Sequence, residues 1–118
     1  MKKIIHIDNS EFFRKLMGTF LEKEGFEVES YSSAQEANLT IGGGAVDMVI
    51  MGLTFADMEG ETFLAKAAES YSGPIVVVSS SIDKDKEAKL KKLGARAVFS
   101  KDGSWQEAIK PILAGLKA

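Results

Sequence analysis

Four residues with reactive or ligating side chains stand at the ends of short apolar runs. Asp8 and Asn9 follow Lys3–Ile7, Ser79 closes Ile75–Ser79, and Lys101 follows Ala97–Ser100. A carboxylate, an amide, a hydroxyl and an ammonium are the parts of a site for a small charged group, provided the chain brings them to one edge. A further run, Val46–Met51, leads into Gly52, Leu53 and Thr54, where only Thr54 carries a polar side chain. The acid and the ammonium can act on a ligand or on each other. An ion pair between Lys101 and Asp8 across an empty pocket is the plainer arrangement, because charges at a buried edge are kept where they are paired.

Convergence requires these runs to be strands of one sheet. Ile75 to Val78 are four β-branched residues in succession, the strongest strand signal in the chain. Apolar runs alternate with helical patterns throughout, which predicts repeated βαβ units and a parallel sheet. The expected strands are Lys3–Ile7, Glu27–Tyr31, Val46–Met51, Ile75–Ser79 and Ala97–Ser100. Glu27–Tyr31 has Val28 as its only aliphatic residue and reads as an edge strand.

Helices fill the gaps. Ser10 can cap the first, in which Phe13, Leu16, Met17, Phe20 and Leu21 share one face and Gly25 supplies the stop. The second spans Ser33–Ile41 before Gly42, Gly43 and Gly44, and the third runs from about Gly60 to Tyr71. Asp83 opens a lysine-rich fourth helix that ends at Gly94. Ser104 opens the last, with Trp105, Ala108, Ile109, Ile112, Leu113 and Leu116 on its apolar side. Pro111 is expected to kink that helix or restart it. In an open doubly wound sheet, ligands bind outside the carboxyl ends of the strands, which is where Asp8, Asn9, Thr54, Ser79 and Lys101 fall.

The 118 residues suffice for one domain with a buried core, expected over residues 1–118. Fifteen basic against seventeen acidic residues give a net charge of -2, which offers no field for nucleic acid or an anionic membrane. The absence of cysteine rules out disulfides and thiolate metal sites. His6 and Asp8 interrupt the apolar run after Met1-Lys2-Lys3 too early for a signal peptide, and no segment is long enough to span a bilayer. A soluble, cytoplasmic protein is expected.

With these residues in place, the chain resembles the receiver domain of bacterial two-component response regulators. The matching stretches are Ile7-Asp8-Asn9-Ser10 with Arg14, then Asp47 through Thr54 running on to Met58-Glu59-Gly60. Pro74 to Ser79, Leu93-Gly94-Ala95 and Lys101 complete them. The resemblance implies a flavodoxin-like, five-stranded parallel sheet of order 2-1-3-4-5 with five helices on both faces. In the family, an aspartate ending strand three accepts a phosphoryl group from a histidine kinase. A magnesium ion is held by that aspartate, by an acidic pair after strand one, and by a backbone carbonyl two residues beyond the acceptor. A Ser or Thr after strand four and a Lys after strand five contact the phosphoryl oxygens. The dianion needs a hard cation and an ammonium to offset its charge.

Against that pattern, Gly52 occupies the acceptor slot and has no side-chain oxygen, and Asn9 replaces the second acid of the pair. Magnesium favours anionic oxygens in octahedral array, so weak binding at Asp8 and Asn9 is the most to be expected, and no cofactor is assigned. Ala56 and Asp102 replace prolines of the family, and a trans Lys101–Asp102 peptide is expected. Val98 stands where the family usually places an aromatic residue that reports phosphorylation. The degenerate pocket thus comprises Asp8, Asn9, Gly52, Thr54, Ser79 and Lys101.

Other candidates have plainer explanations. Asp57, five residues past Gly52, reads as a loop acid facing solvent rather than a substitute acceptor. His6, the only histidine, reads as a packed strand residue. Gly42-Gly43-Gly44 precedes a strand instead of following one, so it reads as a connection and not a phosphate cradle. Lys84, Lys89 and Lys92, with Val98 and Trp105, form the candidate interaction face; the alternatives are a solvated lysine helix and a tryptophan that covers the sheet edge. The expectation is a non-enzymatic, phosphorylation-independent receiver that binds other signalling proteins or an output domain, as a monomer or a homodimer. Two alternatives stand beside it: a receiver phosphorylated on Asp57 or Asp8, and a flavodoxin-like cofactor binder, which the acids Asp8 and Glu11 disfavour.

Overall fold

Strands and helices alternate strictly: β1 (Lys3–Ile7), α1 (Glu11–Lys23), β2 (Glu27–Tyr31), α2 (Ala34–Gly42), β3 (Met48–Met51), α3 (Gly60–Ser70), β4 (Ile75–Ser79), α4 (Lys84–Leu93), β5 (Ala97–Ser100) and α5 (Trp105–Lys117). The structure is a computed structural model and describes residues 1–117, Leu39 by its backbone alone. All four strand pairings are parallel, and the sheet order is β2-β1-β3-β4-β5. β1 and β3 are therefore neighbours at the point where the order reverses, with β4 and β5 beyond.

The register brings the site residues level. Ile7 pairs with Met51, so Asp8 and Gly52 leave the sheet side by side, and the Gly52 amide donates to the Ile7 carbonyl at 2.8 Å. Ser79 pairs with Ser100, so Lys101 leaves one residue later, its amide donating to the Ser79 carbonyl at 2.9 Å.

Side chains alternate across the pleat, which divides the core in two. Ile4, Met48, Ile50, Val76 and Val78 pack under α1 and α5 with Phe13, Met17, Leu21, Trp105, Ile109 and Leu113. Ile5, Ile7, Val49, Met51, Ile75 and Val77 pack under α2, α3 and α4 with Ala34, Ala37, Phe63, Leu64, Ala67 and Leu90.

Several local expectations are corrected. β3 begins at Met48 rather than Val46; at the strand's entry the Asp47 amide donates to the Lys3 carbonyl and the Asp47 carboxylate accepts from the Lys3 amide, both at 2.8 Å. α2 starts one residue later than expected and includes Gly42. Leu16 is 37% exposed and Ala108 is exposed, so neither lies on the buried face of its helix. α5 is continuous through Pro111 and does not restart. The Ser10 hydroxyl caps α1 by accepting from the Phe13 amide at 3.1 Å, and Gly25 takes φ +94° just past the helix end. Among the described residues no peptide bond is cis, Lys101–Asp102 included.

Candidate functional site

The carboxyl ends of β1, β3, β4 and β5 enclose a cavity of about 430 Å³, lined by Asp8, Asn9, Ser10, Leu53, Thr54, Ser79, Ser80, Ser81 and Lys101. A larger groove of about 580 Å³ lies beside it between the β3–α3 loop and α4, sharing Leu53 and Thr54; its walls carry Glu61 and Lys86, already paired to each other at 3.0 Å. The smaller cavity is the one where the strand ends deliver an acid, an ammonium and four hydroxyl side chains besides that of Ser10.

Asp8 is the hub of this cavity and is 3% exposed. Its Oδ1 accepts from the Ser10 amide at 2.8 Å, and its carbonyl accepts from Arg14 Nη1 at 2.6 Å. Its Oδ2 faces the Lys101 ammonium at 2.9 Å. That contact is a charge pair rather than an aligned hydrogen bond, and Oδ2 has no other partner. A pair this dehydrated gains little net stability, yet removing one member strands the other charge at large cost. Lys101 is also held from behind, its Nζ lying 4.3 Å from the centre of the Phe13 ring, within cation–π range.

Gly52 has no side chain, and the room that one would take is filled by Asp8. A Cβ placed on Gly52 would stand 2.7 Å from Asp8 Oδ2 and 3.3 Å from its Cγ, closer than van der Waals contact allows. The Asp8 carboxylate thus lies against the bare backbone just past β3.

Magnesium, which the resemblance implies, does not fit this donor set. Asp8 is the one carboxylate lining the cavity, and its two oxygens are engaged by a backbone amide and an ammonium. Gly52 supplies backbone only, and Asn9 a neutral amide. Among the described residues no group of three His, Cys, Asp or Glu side chains gathers to hold a metal ion.

Asp57 is exposed, as a loop acid should be, but it does not simply face solvent. Its carboxylate accepts from the Ala34 amide at 3.1 Å, the Gln35 amide at 3.0 Å and the Ser33 hydroxyl at 3.2 Å. It closes the N-terminus of α2 from 22 to 24 residues away, and those amides hold its carboxyl below the usual carboxylate range. Nothing in the local pattern around residue 57 signals a cap on so distant a helix. Phe13 over Lys101 and Arg14 on the Asp8 carbonyl also escaped the sequence reading, as did Ser80 and Ser81 in the cavity wall.

The candidate interaction face is not assembled as expected. Trp105 is 5% exposed and Val98 is 7% exposed, so neither is a surface anchor; the indole covers the sheet, as the alternative reading had it. Lys89 and Lys86 both pair with Glu61 on α3, at 2.8 and 3.0 Å, which ties α4 to its neighbour. Lys84 and Lys92 are exposed.

His6 is fully buried on the α1/α5 face, its ring 5.8 Å from that of Phe13, and neither nitrogen has a partner. Burial pushes its pKa down to about 4, with Asp8 opposing the shift and Lys101 and Arg14 adding to it.

A doubly wound sheet of order 2-1-3-4-5, with an acid, a hydroxyl and a lysine converging at its switch point, defines a receiver-type domain. Comparison with known proteins agrees. The family model described as "Response regulator receiver domain" matches residues 4–112, and the chain belongs to that family. It is 32% identical over 100 residues to a protein-glutamate methylesterase/protein-glutamine glutaminase 1 of Syntrophomonas wolfei, covering 82% of this chain and 28% of that protein. It is 25% identical over 79 residues to the regulatory protein VanRc of Enterococcus gallinarum, covering 67% and 34%. The chain thus spans about a third or less of the length of these relatives. Among solved structures, the BeF3-activated N-terminal receiver domain of Klebsiella pneumoniae RstA superposes with a TM-score of 0.90 at 18% identity, covering 99% of this chain and 100% of that one. A CheY-like receiver from Methanospirillum hungatei gives 0.87 at 23%, covering 99% and 94%. Among the described residues, no helix is long and apolar enough to cross a membrane.

Proposed function

We propose that this receiver domain works without phosphoryl transfer, as a protein-interaction module of two-component signalling whose pocket is closed by its own ion pair. The observation that carries this reading is the Asp8 carboxylate lying over Gly52, with Lys101 at 2.9 Å. In a competent pocket the lysine neutralises an incoming phosphoryl group and the acid helps to hold a cation. Here each has the other as counter-charge, and the nucleophile is missing. Magnesium binding is accordingly weak, and no cofactor is needed. The domain turns over no substrate, and its partners are other signalling proteins or an output domain.

Phosphorylation of another acid has less support. Asp57 has both oxygens committed to the start of α2, and Asp8 has both committed to Ser10 and Lys101. The test is intact-protein mass after incubation with acetyl phosphate and Mg²⁺. The unshifted mass is expected. An adduct of about 80 Da, the mass a phosphoryl group adds, defeats the proposal, and its loss on Asp8→Asn or Asp57→Asn would name the true acceptor.

A further inference from the structure

Lys101 touches two systems at once. On one side its Nζ meets Asp8 at 2.9 Å; on the other it lies 4.3 Å from the Phe13 ring centre. Phe13 packs edge-on against Trp105, with centroids 5.3 Å apart, and Trp105 packs the same way against Phe20 at 5.4 Å. An unbroken line of contacts therefore runs from the emptied acceptor position through Lys101 and across α1 to the first residue of α5. Val98 on β5 points the other way, into the core under α2, α3 and α4, while its neighbours Ala97 and Phe99 pack on the α1/α5 side.

We infer that α1 and the start of α5 form the surface whose packing depends on the state of the pocket, with Lys101 as the positioning residue that links the Asp8 ion pair to the Phe13–Trp105–Phe20 stack. Aromatic contacts of this kind are directional, and an ammonium over a ring face adds a further preferred geometry. With Asp8 in place, the ammonium is pinned above Phe13 and the stack has one arrangement. When a competing anion or a partner's carboxylate draws Lys101 away, Phe13 loses its cap and the indole loses a wall. The inference rests on the reading above that an ion pair, not a phosphoryl group, closes the pocket.

Trp105 is the only tryptophan, so its emission reports the stack directly. The experiment compares steady-state emission and acrylamide quenching of the unmodified protein with Asp8→Asn, Lys101→Met and Val98→Ala, with no phosphodonor or metal present. Asp8→Asn keeps the oxygen that serves Ser10, and Lys101→Met keeps an apolar stem over Phe13. Both are expected to shift emission to longer wavelength and to raise the quenching constant on the order of twofold, as the indole becomes less buried. Val98→Ala is expected to leave both unchanged. Should Asp8→Asn fail to give the native far-UV dichroism, Gly52→Ala breaks the same contact from the other side, since its Cβ would enter 2.7 Å from Asp8 Oδ2. Emission and quenching identical to the unmodified protein in the folded variants overturn the inference, as does an equal response to Val98→Ala. Because no phosphoryl chemistry enters, either result is independent of the mass measurement that tests the pocket itself.

Discussion

On the α1/α5 face the packing is aromatic and reaches the pocket, from Phe20 through Trp105 and Phe13 to Lys101. On the α2–α4 face it is mainly aliphatic, and its polar ties lie at the surface: Glu61 to Lys86 and Lys89, and Asp57 to the start of α2. The first face joins core and site in one contact network, so a change in either is felt in the other. The second is a stable wall whose surface ties hold helices in place without entering the pocket.

The largest break in that contrast comes from Trp105→Ala. Removing a buried indole that two phenylalanines pack against is expected to cost about 3–5 kcal/mol of unfolding free energy in denaturant titration. A cost near that of an exposed aromatic would mean the stack contributes no structure.

Next comes acid. His6 lies beneath the same stack, facing Asp8 just past the end of its own strand, Arg14 from α1 and Lys101 from the turn after β5. Its folded pKa of about 4 lies below the ordinary 6.5, so between those values the unfolded chain binds a proton that the folded one refuses. Stability is therefore full above pH 6.5 and falls as pH drops towards 4, by at most about 3 kcal/mol from this one group. Urea unfolding at pH 7 and pH 4.5 should show a smaller difference in His6→Leu than in the unmodified protein. An equal pH dependence would assign the loss to carboxylates alone.

The opposite face gives smaller effects. Asp57→Ala leaves the start of α2 without its cap and should lower Tm by about 5 °C, with hydrogen exchange rising first in α2. Glu61→Gln loosens an exposed pair of bridges and should move Tm by no more than about 2 °C, a change that vanishes in 1 M salt, roughly a 3 Å screening length. Neither should alter Trp105 emission; a shift with either would mean that the two faces communicate after all.

The architecture was legible because each strand is a short apolar run and each helix a 3.6-residue pattern, and β1, β2, β4 and β5 fall where the sequence placed them. That Asp8, Asn9, Thr54, Ser79 and Lys101 meet at one cavity was legible for a topological reason, since strand ends in a parallel sheet meet at one edge; Ser80 and Ser81 were not. What escaped were contacts set by three-dimensional proximity alone. Asp57 caps a helix more than twenty residues upstream, and no spacing rule covers that distance. Trp105 falls on the apolar side of its helix by spacing, but at the first turn that side need not be covered, and only the enclosing rings of Phe13 and Phe20 show that it is. Glu61 neutralises two lysines from a different helix, which a count of charges along α4 does not reveal.

The crowding at Gly52 bears on any attempt to refit the pocket. A side chain placed at position 52 would enter 2.7 Å from Asp8 Oδ2, so the Asp8 carboxylate has to swing aside to admit it. An acid engineered at position 52 therefore asks two things at once, whether an oxygen has been supplied there and whether Asp8 lets go of Lys101 to admit it.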